Sequence, residues 1–151
     1  NFGISKARGK WVTKIDGDDL ILKNFLKNVA SFILKNKKTD LILGNIIEKD
    51  IVKNKKKVIK QDFLNKSNIF NYPHGSGIVF KKDLWKKLCG FDEKLNYQDD
   101  FDFWLRLKKK NFIIKHINKN DYVYIKHGKN MSKSFLKKNF TKLYVILKNI
   151  I

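Results

Sequence analysis

Trp11-Val12-Thr13-Lys14-Ile15-Asp16-Gly17-Asp18-Asp19 decides the reading of this chain. Its first half is an apolar run of strand type. Its second half places three carboxylates within four residues. Crowded carboxylates raise one another's pKa unless a cation or a base offsets the repulsion. Asp residues one apart at a strand end can converge on one hard divalent cation, with Gly17 allowing a tight turn between them. The same residues can instead form a turn in which Asp19 caps a following helix. An EF-hand is excluded, because Leu20 and Ile21 stand where that loop needs a ligand and a glycine. A polymerase-type Gly17-Asp18-Asp19 fits poorly, because a helix rather than a returning strand is expected next.

The acids stand out because the rest of the chain is basic. Its 151 residues hold 34 Lys+Arg against 14 Asp+Glu, a formal charge of +20. A second acidic window, Asp92, Glu93, Asp99, Asp100 and Asp102, brings eight of the fourteen acids into two short stretches. Only Arg8 and Arg106 are arginines. Nucleic-acid readers lean on the planar arginine fork, which lysine cannot copy, so a solvated lysine surface is the better account of the charge, with attraction to anionic lipid or to nucleic acid as the alternatives. Abundant Asn, Ile and Phe beside only two Ala fit the codons of an AT-rich genome.

Hydrophobic content of 42% and aromatic content of 13% indicate a globular fold. No apolar run approaches the roughly 18 to 20 residues that span a bilayer. Cys89 is the only cysteine. It admits no internal disulfide, reads as a small core residue, and fits a reducing, cytoplasmic setting.

Outward from the opening stretch, Leu22, Phe25, Leu26, Val29 and Ile33 carry helical spacing. Leu41 to Ile47 reads as a buried strand, and Glu48 to Lys60 as a lysine-rich hairpin or loop in which Val58-Ile59 can be a strand. Asn71 to Gly77 is rich in turn residues and leads into a strand at Ile78-Val79-Phe80. Asp83 is placed to cap a short helix that Gly90 ends. A further helix through Phe103, Trp104 and Leu107 ends near Asn111. Strands follow at Phe112-Ile113-Ile114 and Tyr122 to Ile125. Leu136, Phe140, Leu143, Leu147 and Ile150 form the stripe of a final amphipathic helix. With no repeat and no linker, this alternation is one α/β domain, whose ligands bind beyond the carboxyl ends of the strands.

The second window admits two readings. Acids in the first turn of a helix favour its dipole, and crowding can also tune one of them as a general base. Asp102 and Arg106, four apart, can pair and leave Asp99 and Asp100 free. His74 and His116 read as structural or exposed, whereas His127, opening His127-Gly128-Lys129-Asn130 after a strand, is a site candidate.

Taken in order, these pieces resemble the family 2 glycosyltransferases with the GT-A fold. The resemblance rests on Asn1-x-Gly3, Ala7-x-Gly9-x-Trp11-Val12, Ile15 to Asp19, Ser76-Gly77, Gly90-Phe91-Asp92-Glu93, Asp99 to Arg106, and Tyr124 to His127 with Ser132 beyond. It implies a mixed sheet flanked by helices and inverting transfer of a sugar from a nucleotide-sugar donor to an acceptor hydroxyl. The acceptor would be saccharide or lipid-linked, in surface polysaccharide or glycolipid synthesis, with peripheral membrane contact possible. In this reading Asp16 contacts the nucleotide or ribose, and Asp18 coordinates Mn²⁺ or Mg²⁺ with His127 nearby. Asp19 supports the donor site or caps the next helix. Asp100 is the base that deprotonates the acceptor, and Asp99 stands where the family usually has Glu. Gly75, Ser76 and Gly77 line the acceptor side. Residues 1–128 are then the catalytic-side portion, and 129–151 a helix packed on it. The family's opening strand–helix–strand units have no counterpart here, so a fragment lacking half the donor pocket, inactive alone, is expected. The competing expectation is a non-catalytic, lysine-rich module that binds nucleic acid or anionic membrane.

Overall fold

The computed structural model describes residues 1–61, 72–130 and 135–150, with side chains in the last stretch described from 139 to 149. Asn71, Ser132 and the side chains of Leu136 and Ile150 therefore lie outside the described residues. The elements run α1 (Phe2–Lys6), β1 (Trp11–Thr13), β2 (Leu20–Ile21), α2 (Phe25–Lys35), β3 (Leu41–Asp50), β4 (Lys55–Ile59), β5 (Val79–Lys81), α3 (Lys82–Lys87), α4 (Asp99–Lys108), β6 (Ile114–Lys126) and α5 (Phe135–Ile150).

One mixed sheet orders the strands β1-β5-β3-β6-β2, with β4 on β3. Only β3 and β6 run parallel; the other pairs are antiparallel. The apolar run Leu41-Ile42-Leu43 sits at the centre because both of its faces are covered. Alternate side chains point to opposite faces. Leu41 and Leu43 join Phe80, Leu84, Phe103, Trp104 and Leu107 under α3 and α4, while Ile42 meets Val79, Phe25 and Val29 under α2.

Several sequence expectations change here. Asp19 does not cap α2. The chain passes instead through β2, which pairs Leu20 with Val123 and Ile21 with Tyr122, and Asn24 occupies the cap position. A strand does resume after the acids, but its partner is β6 rather than β1, so no Gly-Asp-Asp hairpin forms. Asp83 lies inside the first turn of α3 rather than capping it, the cap position being Lys81. Cys89 is exposed, not a core residue; with φ 59 it sits in the left-handed turn that ends the helix beside Gly90.

The two strands expected around residues 112–125 are one strand of 13 residues. Its middle reads as a polar loop, and the register explains why: Gly44 faces Ile117 but Ile46 faces Tyr122. The extra residues bulge out, and the Asn45 amide donates to Asn118 at 3.1 Å and Asn120 at 2.8 Å. Interior polar pairing replaces apolar patterning along that stretch. The lysine-rich segment is a true hairpin: Asp50 accepts from the amides of Val52 and Lys53, turning β3 into β4.

Candidate active site

The end of β1 delivers Lys14, Asp16 and Asp18 to one rim of the sheet, and the end of β6 delivers His127. Asp16 is half-buried and pairs with Lys14 at 3.1 Å. Gly17 is not demanded by the turn: its φ is ordinary and an added Cβ would meet open space. Asp18 and His127 meet at 2.8 Å between Oδ2 and Nε2, and the Asn130 amide approaches the same oxygen at 3.5 Å. The hydrogen bond to His127 holds the Asp18 carboxyl below the usual carboxylate range. Gly128 with φ 85 and the bond from the His127 amide to the Asn130 side chain fold the His127–Asn130 turn back over Asp18.

Asp19, expected to support the donor, is turned inward. Its carboxylate accepts the Tyr122 hydroxyl and, at 3.0 Å, the Ile125 amide. With only 8% of its surface exposed, it clamps β6 to the acidic turn and leaves Asp16 and Asp18 facing out.

The second window divides. Asp102 is fully buried, bonded to Arg106 Nε at 2.7 Å, Asn149 at 3.0 Å and Lys148 at 3.1 Å, and Asp92 also takes Lys148. Those acids fasten α4 to α5. Asp100 is half-buried at the start of α4, where its Oδ1 accepts the Phe101 amide at 2.7 Å. Desolvation and the neighbouring charge of Asp99 raise its pKa, against the lowering pull of the Phe101 amide, His74 and Lys14. Among the described residues no side-chain hydrogen bond holds Asp99, and its charge bears on Asp100.

Gly75, Ser76 and Gly77 form the floor between the two acid groups. A Cβ on Gly75 would lie 2.8 Å from the Asp100 Cβ, and one on Gly77 would lie 2.6 Å from the Tyr122 ring. Gly77 also has φ 75, a backbone conformation that favours glycine. Ser76 is fully buried and accepts Lys14 Nζ at 3.2 Å, so of the acceptor-side trio it stabilises the floor rather than facing outward.

Three contributors were not singled out by sequence reading. His74, read as structural or exposed, packs its ring on Tyr124 at 4.6 Å, and its charge bears on both Asp18 and Asp100. Lys14 links Asp16 to Ser76. Asn130 positions the His127 turn. A histidine beside Gly75-Ser76-Gly77, and an Asn three residues after His127, were the available signals.

The Asp18 carboxylate oxygen is a donor that suits Mn²⁺ or Mg²⁺, and the His127 nitrogen beside it is one that softer divalent ions favour. Among the described residues no third His, Cys, Asp or Glu joins them. These residues therefore fit an ion that takes its remaining ligands from a bound diphosphate and water, and do not fit an all-protein cage.

Comparison with known proteins agrees with this layout. The family model for glycosyl transferase family group 2 matches residues 11–140. An uncharacterised glycosyltransferase of Methanocaldococcus jannaschii is 32% identical over 116 residues, 70% of this chain and 38% of that protein. The crystal structure of S. aureus TarS 1-349 in complex with UDP-GlcNAc superposes with a TM-score of 0.67 at 25% identity, covering 90% of this chain and 40% of that one. The structure without a named ligand gives 0.63 at 24%. The chain thus spans about two fifths of the length of the relatives it matches, carrying the mixed sheet and flanking helices of one part of their GT-A fold. The acids of the opening stretch and of α4 both fall within the matched residues, and the chain belongs to glycosyl transferase family group 2.

Proposed function

We propose that this chain supplies the catalytic side of an inverting, metal-dependent glycosyltransferase that uses a nucleoside-diphosphate sugar. The observation that carries the reading is the pairing of an exposed Asp18–His127 couple with a half-buried Asp100 whose pKa is raised by desolvation and by the charge of Asp99. Both fall within reach of the His74 charge. The complex of S. aureus TarS with UDP-GlcNAc supports a UDP-sugar as the donor class.

Asp18 and His127 would hold the divalent ion, and Asp16 would contact the nucleotide. When bound, the ion offsets negative charge developing on the departing diphosphate. Asp100 takes the proton of the acceptor hydroxyl as that oxygen bonds to the anomeric carbon. The carbon–oxygen bond to the diphosphate breaks on the opposite face, so the configuration inverts. A raised pKa suits Asp100 to this task, since a base nearer neutrality holds the proton it abstracts more firmly. Asp99 helps to maintain that pKa. The acceptor would be a saccharide or lipid-linked hydroxyl, in surface polysaccharide or glycolipid synthesis at the cytoplasmic side of a membrane.

Two measurements test this. UDP binding, followed by calorimetry with and without Mn²⁺ or Mg²⁺, should depend on the metal in the wild type and lose that dependence in Asp18→Ala. Sugar transfer by a protein carrying this chain in a complete fold should fall in Asp100→Asn. Retained transfer in Asp100→Asn would refute the base assignment. Metal-independent binding would refute the assignment of Asp18. Salt-sensitive capture of nucleic acid indifferent to both acids would favour a lysine-rich binding module instead.

A further inference from the structure

The last helix is docked the wrong way round for its amphipathicity. Along α5 the polar positions face the body of the protein. Lys148 reaches Asp92 and Asp102, Asn149 is buried against Asp102, and Lys142 lies over the rings of Tyr72 and Phe101. Val145 is the only buried apolar side chain among its described residues. The apolar stripe points outward instead: Phe140 is 75% exposed, Leu143 57%, Tyr144 55% and Leu147 52%. Their i, i+3, i+4, i+7 spacing makes them one continuous band. The spacing predicts an amphipathic helix, and in the structure its apolar stripe is the outward side. The reason is the buried Asp102 carboxylate, which draws the helix's amide and ammonium groups inward.

A band of this kind needs a cover, and the charge of the sequence that carries it says which. From Tyr122 to Ile151 the sequence has seven lysines (126, 129, 133, 137, 138, 142 and 148) and no Asp or Glu. Basic segments with a helical apolar face rich in Phe, Tyr and Leu bind the interfacial layer of anionic lipid bilayers. No helix among the described residues is long and apolar enough to cross a membrane, so α5 would lie along the surface. We propose that the outward stripe of α5 seats the protein on an anionic lipid surface. Phe140, Leu143, Tyr144 and Leu147 enter the headgroup boundary, and the net positive charge of the chain supplies the attraction. This rests on the packing of α5 and is independent of the reading of Asp18 and Asp100.

The test is co-sedimentation of the protein with vesicles of phosphatidylcholine alone or with roughly a third phosphatidylglycerol, at low and high salt. Partition to the anionic vesicles should exceed that to neutral ones by about tenfold or more. The double substitution Phe140→Ser with Leu147→Ser should abolish most of it. Both side chains are mainly exposed, so the thermal midpoint should hold, and an unchanged circular dichroism spectrum confirms an intact fold. Equal or no binding to the two vesicles overturns the proposal. So does anionic binding that survives the double substitution, which would leave lysine attraction alone. A concentration-dependent dimer, lost in the double variant and without vesicle binding, would assign the stripe to a second copy and equally overturn it.

Discussion

At the scale of single residues, Asp100 combines two properties that oppose each other. Its carboxylate is half-buried beside Asp99, which raises its pKa and makes its ionised form costly to the fold. Because the folded pKa lies above the unfolded value, stability should decline as pH rises through the interval between the two. Asp100→Asn removes that charge. Its thermal midpoint at neutral pH should equal or exceed the wild type, while sugar transfer falls by about 10²- to 10⁴-fold. In the wild type the rate should climb with pH from above the ordinary carboxylate range, following loss of the Asp100 proton, and that limb should vanish in the variant. Gly77 makes the opposite kind of claim, about space. Gly77→Ala faces a left-handed φ of 75 and the ring of Tyr122 at 2.6 Å from the new Cβ. Strain of about 1 to 2 kcal/mol and overpacking of about 1 to 3 kcal/mol should appear together as a lower urea midpoint. The Asp18, Asp99 and Asp100 candidates were legible because acids are scarce in this chain. The inward turn of Asp19 was not, since its partners Tyr122 and Ile125 stand more than a hundred residues away.

Between elements, two buried carboxylates do the joining. Asp19 is shared between the acidic turn and β6, and removing it leaves the Tyr122 hydroxyl and the Ile125 amide without their acceptor. Each such orphaned group costs about 1 to 3 kcal/mol. Asp19→Ala should therefore destabilise the fold strongly, whereas Asp18→Ala, at an exposed position next door, should stay within about 0.5 kcal/mol of the wild type. Equal urea midpoints for the two variants would contradict the assignment of clamp and ligand. Asp102 performs the same office between α4 and α5, taking Arg106, Lys148 and Asn149 with no exposure of its own. Asp102→Ala should cost about 3 to 5 kcal/mol, as breaking a buried pair does. Amide exchange in α5 should accelerate more than exchange in β3. Local periodicity found α2, β3, β5 and α4 because each buries a face of ordinary apolar spacing. It divided β6 in two and left open which face of α5 docks, since there the deciding contacts are polar: the Asn45–Asn118–Asn120 cluster and the Asp102 network.

Over the whole molecule the governing quantity is a charge of +20 on 151 residues. Ion pairing leaves that sum unchanged, and among the described residues some pairs share a partner. Glu48 serves both Lys57 and Lys126, and Lys148 is divided between Asp92 and Asp102. Like charges spread over one compact body repel, which weakens the folded state relative to an expanded chain. Salt shortens the reach of that repulsion, from about 30 Å at 0.01 M to about 10 Å at 0.1 M. The same salt weakens the exposed pairs, but each of those contributes at most about 1 kcal/mol, and they are few beside the unpaired lysines of the surface. Repulsion therefore wins the comparison. Raising the salt from about 0.01 M to about 0.3 M should increase the thermal midpoint by several degrees, with chloride and acetate acting alike. A midpoint that falls with salt would mean that the ion pairs outweigh the net charge. The effect should be largest in the absence of any polyanion, because a bound anionic surface neutralises the same lysines that the salt would otherwise screen.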